Sequence, residues 1–288
     1  MIRRLTAALC AVLSLALPAS ANPLAKDVFG NVRGPTAGPA QVIGFYSRGC
    51  ATGLMQLPET GPTWQAMRLS RSRNWGHPEL IAVIQRLGAV ATQVGWRGIY
   101  VGDMSQPRGG PMTTGHASHQ LGIDADIWML PATSLRLSPA ERERLSSQSV
   151  VARNGVEPSG LWSPAHAALL KAAASDPRVQ RVFVDPVAKL QLCRTERGDR
   201  SYLRKIQTIN GHDYHFHIRL RCPAGSPGCQ GQAEVPPGDH CDAAEQMIRD
   251  RLHPERVARQ PPDPDYRHPR SYRLSELPAA CTAVALAR

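Results

Sequence analysis

The chain has 288 residues, a formal charge of +11, 25 prolines and 24 glycines, and few aromatic side chains; such a composition favours short elements joined by long ordered loops. Its basic residues are dispersed and form no long run interleaved with aromatics, which argues against a nucleic-acid partner and for an acidic polymer or surface. No later segment approaches the roughly 20 apolar residues that a membrane-spanning helix needs, so no transmembrane anchor is expected.

The N-terminus reads as an export signal. Arg3 and Arg4 form a positive start, Leu5 to Leu17 a short apolar run, and Ala19, Ser20 and Ala21 a small-residue cleavage site. Residues 1–21 are therefore expected to be removed, the mature chain beginning at Asn22 with its charge falling from +11 to +9 as Arg3 and Arg4 are lost. Loss of Cys10 leaves six cysteines, Cys50, Cys193, Cys222, Cys229, Cys241 and Cys281, an even number in a chain bound for an oxidising compartment. Disulfides are expected. Zinc–thiolate clusters are the rival reading, but no CxxC pair exists, and spacing alone leaves 15 disulfide pairings open.

Residues 22–45, rich in Gly, Pro and Ala, read as an extended lead-in. Leu80, Ile81, Val83, Ile84, Leu87, Val90, Ala91 and Val94 keep helical spacing and predict a helix over about 79–95. Gly98 to Val101 reads as a strand feeding a long irregular loop, Gly102 to Ser118, of the kind that carries function on a rigid scaffold. Ile123 to Leu130 alternates apolar and acidic residues, which predicts a strand with one wet face. Ser138 and Ser163, each followed by Pro, start helices, the second running over Ala165 to Ser175. Val182 to Val184 is a short buried strand before a helical turn ending near Cys193, and His215 to Cys222 alternates again. Beyond Cys222 only about 241–252 reads as a helix.

Two stretches, Gly115 to Asp126 and His212 to His217, hold five of the ten histidines. On a strand, His215 and His217 project from one face about 6 to 7 Å apart. Gly122 lets a turn bring His119 and Asp126 to the same point. Imidazole and carboxylate ligands with one position left for water are the pattern of a catalytic zinc site, where bound water becomes acidic enough to attack an amide at neutral pH. Each element alone is weak: a lone histidine is ordinarily a satisfied polar residue, an HxH can lie on a solvated face, and Asp124 with Asp126 can be strand-edge charges or a calcium site. The joint occurrence of H-x6-D and H-x-H carries the reading.

That joint pattern resembles the superfamily of lysostaphin-type peptidases, D-Ala-D-Ala metallopeptidases and the hedgehog domain. The stretches Ser70–Pro78, Gly102–Gly110 and Gly115–Gln120 look like the penicillin-insensitive murein endopeptidases, the likeness running from about Cys50 to Cys241. The resemblance implies an α+β fold, one domain over 22–288, with a small central antiparallel sheet flanked by helices and disulfide-stapled loops. It implies zinc held by His119, Asp126 and His217, His215 as general base and His212 assisting it. His116 matches a residue that can contribute to a second zinc at a dimer contact, a possible homodimer whose other metal ligands have no match here. The implied pairings are Cys50–Cys281, Cys193–Cys241 and Cys222–Cys229, the last favoured also by loop closure. The implied activity is periplasmic hydrolysis of the D-alanyl to meso-diaminopimelyl cross-link of peptidoglycan, insensitive to β-lactams because no serine is acylated. The rivals are a D,D-carboxypeptidase or dipeptidase on the same scaffold and a non-catalytic, zinc-containing cell-wall module. Retention of His215 argues against the second. Among other residues, Trp75 and Trp128 read first as packing, Arg73 and Arg108 as surface arginines or anchors for stem-peptide carboxylates, and Asp124 as a carboxylate behind a ligand or on the surface.

Overall fold

The computed structural model describes residues 22–257, 261 and 263–287; the export signal expected at residues 1–21 lies outside them. In chain order the elements are α1 (Ala25–Gly30), β1 (Gln41–Phe45), β2 (Arg48–Thr52), β3 (Met55–Gln56), β4 (Trp64–Ala66), β5 (Trp75–Gly76), α2 (Pro78–Gln93), β6 (Ile99–Val101), β7 (Asp124–Trp128), α3 (Pro139–Arg144), α4 (Pro164–Ser175), β8 (Val179–Val184), α5 (Pro186–Thr195), β9 (Ile206–Thr208), β10 (His215–Leu220), α6 (Cys241–Leu252) and α7 (Ala279–Leu286). The α+β class is as expected.

Six strands form the central sheet in the order β4-β6-β7-β10-β8-β9. Its inner pairings, β6–β7, β7–β10 and β10–β8, are antiparallel as expected, but β4 and β9 join the two edges in parallel, so the sheet is mixed. The helix predicted at 79–95 is α2, started by Pro78 and by His77, whose Nδ1 accepts from the Glu79 amide at 3.2 Å. Its Leu80, Val83, Ile84 and Leu87 are buried, and it packs on α4 and on β4 and β6. Ala125 and Ile127 of β7 and Phe216, Ile218 and Leu220 of β10 join that same core.

The opposite face of β7 and β10 carries Asp124, Asp126, Trp128, His215, His217 and Arg219, and every residue of both strands is buried. The wet face expected of β7 is thus absent, because the loop over 102–122 is laid across it. Alternation marked the two faces correctly; the sign of exposure differed because a polar face covered by chain has the same sequence pattern as one covered by water.

Several elements were not foreseen. The lead-in contains α1 and β1, and the C-terminal segment ends in α7; Ala25, Phe29, Leu274, Leu277, Cys281 and Val284 make a second core behind the loop. Gly110, at φ 76°, lies under the Phe29 ring so closely that a Cβ there would come within 2.2 Å of it. Disulfides join Cys50 to Cys281, Cys193 to Cys241 and Cys222 to Cys229, the pairings implied by the resemblance.

Candidate metal centre

Antiparallel register sets the centre: His217 of β10 lies opposite Asp126 of β7, and Arg219 opposite Asp124. His119 arrives from the loop in a left-handed conformation, φ 64°, which costs a residue with a Cβ about 1 to 2 kcal/mol. The loop enforces it. Ser105 Oγ donates to the His119 carbonyl at 2.7 Å, and Gln120 ties in through Ser47, Ala117 and the Gly49 amide.

His119 Nδ1 lies 2.7 Å from the Met104 carbonyl. A carbonyl only accepts, so Nδ1 carries the hydrogen and Nε2 presents a lone pair. His217 Nε2 lies 2.6 Å from Asp124 Oδ1, which likewise leaves Nδ1 of His217 as a lone pair. These two nitrogens are 3.2 Å apart, and each is 3.4 Å from Asp126 Oδ1. Asp126 Oδ1 is buried with no hydrogen-bond donor. Three electron pairs therefore converge on one point. Bonds of about 2.0–2.1 Å to a tetrahedral ion separate its ligands by about 3.3–3.4 Å, so the donors fit a metal ion in both spacing and chemistry. In its place a proton would serve: burial opposes charge on His119, but the carboxylates of Asp126, Asp124 and Asp103 raise its proton affinity above the ordinary value.

Asp124, expected behind a ligand or on the surface, is fully buried and orients His217. Its Oδ1 also accepts from Arg219 Nε at 2.6 Å, and the Arg219 guanidinium is sandwiched near the rings of Tyr46 and Phe183. Burial works to raise the Asp124 carboxyl, but Arg219 and His217 hold it far below the usual carboxylate range.

His116 also belongs to the cluster: a ligand atom from each of His116, His119 and Asp126 falls within 4.8 Å of the others. Its Nε2, however, faces two carboxylates, Asp103 Oδ2 at 3.1 Å and Asp126 Oδ2 at 3.4 Å, and acts there as a donor. His217 Nδ1, in contrast, offers a lone pair close to both Asp126 Oδ1 and His119 Nε2. His215 Nε2 lies 3.5 Å from the same oxygen while its Nδ1 is buried and unpartnered. The His212 ring is 4.8 Å from that of His215, and its Nδ1 is also without a partner. Burial, reinforced by His215 and His217, pushes His212 down to about 4, and burial lowers His215 despite Asp126. Both shifts favour the neutral imidazole, the form that accepts a proton.

Neither Arg73 nor Arg108 is the surface or substrate-facing arginine expected from sequence. Arg73 is buried and donates to Asp103 Oδ2 at 2.8 Å and to Thr114. Arg108 is buried against α7, donating to the carbonyls of Val284, Ala285 and Ala287 at 3.0, 3.2 and 2.7 Å. The arginines at the centre are Arg68 and Arg71, which with Asp103, Trp128, Ser146 and Tyr214 line a cleft of about 340 Å³ open to His116, Asp126 and His215. A larger recess, about 760 Å³, borders Arg200, Tyr202 and Arg204 but contains no histidine. Asp103, given no role from sequence, is the hub joining Arg71, Arg73 and His116; its position in an irregular loop offered no periodicity to reveal it.

The penicillin-insensitive murein endopeptidase family model matches residues 42–286. A penicillin-insensitive murein endopeptidase of Klebsiella pneumoniae subsp. pneumoniae is 41% identical over 273 residues, covering 94% of this chain and 95% of its own. One from Escherichia coli is 40% identical, covering 95% and 96%, and one from Haemophilus influenzae is 43% identical, covering 71% of each. With the family model matching residues 42–286 and a relative 41% identical over 94% of the chain, the chain belongs to the penicillin-insensitive murein endopeptidase family.

Proposed function

We propose that this protein is a zinc-dependent murein endopeptidase of the periplasm that hydrolyses the D-alanyl to meso-diaminopimelyl cross-link of peptidoglycan. Family membership supports the murein endopeptidase activity. The converging lone pairs of His119 Nε2, His217 Nδ1 and Asp126 Oδ1 support the metal. Two imidazoles and one carboxylate, with further positions open to the cleft, suit zinc in its catalytic form. Zinc bound there supplies a Lewis acid that polarises the amide carbonyl and makes water acidic enough to react near pH 7.

The chain's own residues do the rest. His215 turns Nε2 toward the ligand cluster and, with burial favouring its uncharged form, takes the proton of the attacking water; the same nitrogen then delivers it to the departing amine. His212, neutral and beside it, keeps a second positive charge away from His215 while that proton is held. Asp124 fixes the tautomer of His217, and the Met104 carbonyl fixes that of His119. No serine nucleophile takes part, so β-lactams that acylate serine leave the activity unchanged. The export signal read at residues 1–21 and the three disulfides support a periplasmic site of action.

Purified protein incubated with cross-linked muropeptide dimers is expected to yield monomers. Chelation, or His119→Ala, is expected to reduce this by about a thousandfold or more, since a Lewis acid contributes several kcal/mol. Release of free D-alanine with the dimers left intact would favour the carboxypeptidase instead. Undiminished cleavage after complete metal removal would defeat the metal assignment.

A further inference from the structure

Arg68 and Arg71 present a surplus of positive charge to the cleft. Buried Arg73 already neutralises Asp103 at 2.8 Å. Arg71, with its side chain 47% exposed, touches Asp103 only through Nη1, at 3.2 Å from both oxygens; its Nε and Nη2 have no hydrogen bond among the described residues. Among the described residues the Arg68 guanidinium donates only to Ser146 Oγ, at 2.9 Å. Of the other acids nearby, Glu143 is taken up by the Ser70 amide and hydroxyl at 2.8 and 2.9 Å, and Asp126 faces His116, His119 and His217.

The backbone is organised to keep both arginines there. Arg68 and Ser72, at φ 57° and 49°, are left-handed non-glycine residues at either end of the 3-10 turn Leu69–Arg71. Each costs about 1 to 2 kcal/mol. The turn is closed by Arg71 and Ser72 amides donating to Arg68 and Leu69 carbonyls, both at 3.0 Å, and is clamped to α3 by Glu143. Strain of this kind, held by surrounding contacts on the rim of a cleft, is typical of ligand clamps. Tyr214, 45% exposed, stands on the same cleft and is close enough to feel the Arg71 charge.

We propose that Arg68 and Arg71 form a carboxylate-binding subsite on the amine side of the scissile bond. This rests on the endopeptidase reading above. In that bond the carbonyl belongs to an alanine whose side chain is a methyl group, whereas the carbon carrying the scissile nitrogen also carries a carboxylate. A planar guanidinium fork matches a carboxylate in two-point geometry, which an ammonium cannot do. The enzyme therefore discriminates between cross-links in which this group is a free carboxylate and those in which it is a carboxamide.

The test is kinetic, on two synthetic cross-linked dimers that differ only in that group. Wild-type protein is expected to cleave the carboxylate dimer with kcat/KM about 10- to 100-fold higher, as one or two charge-assisted hydrogen bonds imply, most of it in KM. Arg71→Ala and Arg68→Ala are expected to lose that advantage on the carboxylate dimer and change little on the carboxamide dimer, with metal content unchanged. Arg71→Lys, which keeps the charge but not the fork, should recover only part. Equal cleavage of both dimers by wild type, or equal losses on both in the variants, would overturn the subsite alone. Failure of wild type to cleave either dimer would overturn the endopeptidase reading and the subsite with it.

Discussion

Asp124 has almost no freedom: one oxygen receives both His217 Nε2 and Arg219 Nε at 2.6 Å, in a site closed to solvent. Replacing Asp124 by Asn keeps the size but removes the charge that holds the His217 tautomer and balances Arg219. Metal affinity is expected to fall about 10- to 100-fold, read by competition with a chromophoric chelator. Stability of the metal-free protein is expected to fall as well, by about 3 kcal/mol, because Arg219 is left buried without its anion. Unchanged metal affinity would mean that His217 is oriented by packing against Phe183. At this scale His119, Asp126, His215 and His217 were legible because strand alternation and a short H-x6-D turn are local features. The roles of Asp124 and Asp126 were not separable locally, since both lie on the same face of β7; the register with β10 separates them. Arg73 and Arg108 were misread for a related reason: a Gly/Pro-rich loop conceals whether its side chains point in or out.

At the scale of elements, α2, α4 and β8 are tied by Asp176, the C-cap of α4. Its carboxylate accepts from Arg178 at 3.0 and 2.8 Å and from Arg86 of α2 at 2.9 Å, while its carbonyl accepts from Lys205. Burial works to raise the carboxyl, but Arg178 and then Arg86 bring it down to about 2. Its folded value is thus below its unfolded one, so the stabilisation is complete above about pH 4 and is lost as pH falls from about 4 to 2. With both arginines partly in solvent, the contribution is about 1 to 2 kcal/mol. Asp176→Asn is expected to lower stability by that amount at pH 7 and to flatten this part of the acid limb, as measured by urea unfolding from pH 2 to 7. An acid limb identical to wild type would show that the pair contributes nothing. Both helices were readable from apolar spacing and Ser-Pro starts, and α6 from the segment at 241–252. What joins them was not, because a C-cap aspartate and a helix-face arginine 90 residues apart leave no joint pattern in sequence.

The molecule as a whole uses its N- and C-terminal segments to hold the loop that carries His119 from behind. The lead-in brings α1, whose Phe29 lies over Gly110; the C-terminal segment brings α7, whose last carbonyls are taken by Arg108. Neither helix was anticipated, since six and eight residues are too few turns to establish a period, and the apolar side chains they bury acquire meaning only in the second core. The disulfide pairing likewise came from family resemblance, spacing favouring only Cys222–Cys229 through loop closure. Cys50–Cys281 fastens α7 to β2 across 231 residues, and in the chain-entropy account a loop of this length makes the bond worth about 2 to 5 kcal/mol. Replacing both cysteines by Ala is therefore expected to lower stability by that amount, but unevenly. Sheet strands β7 and β10 keep their own core, so their amides should stay protected in hydrogen exchange, whereas those of α1, α7 and the loop around Gly109 and Gly110 should exchange faster. Because that loop holds His119 in its left-handed conformation, metal affinity should fall together with loop protection although no ligand has been touched. Uniform loss of protection across β10 and α7 alike would show instead that the two cores unfold as one unit and that the brace has no separate role.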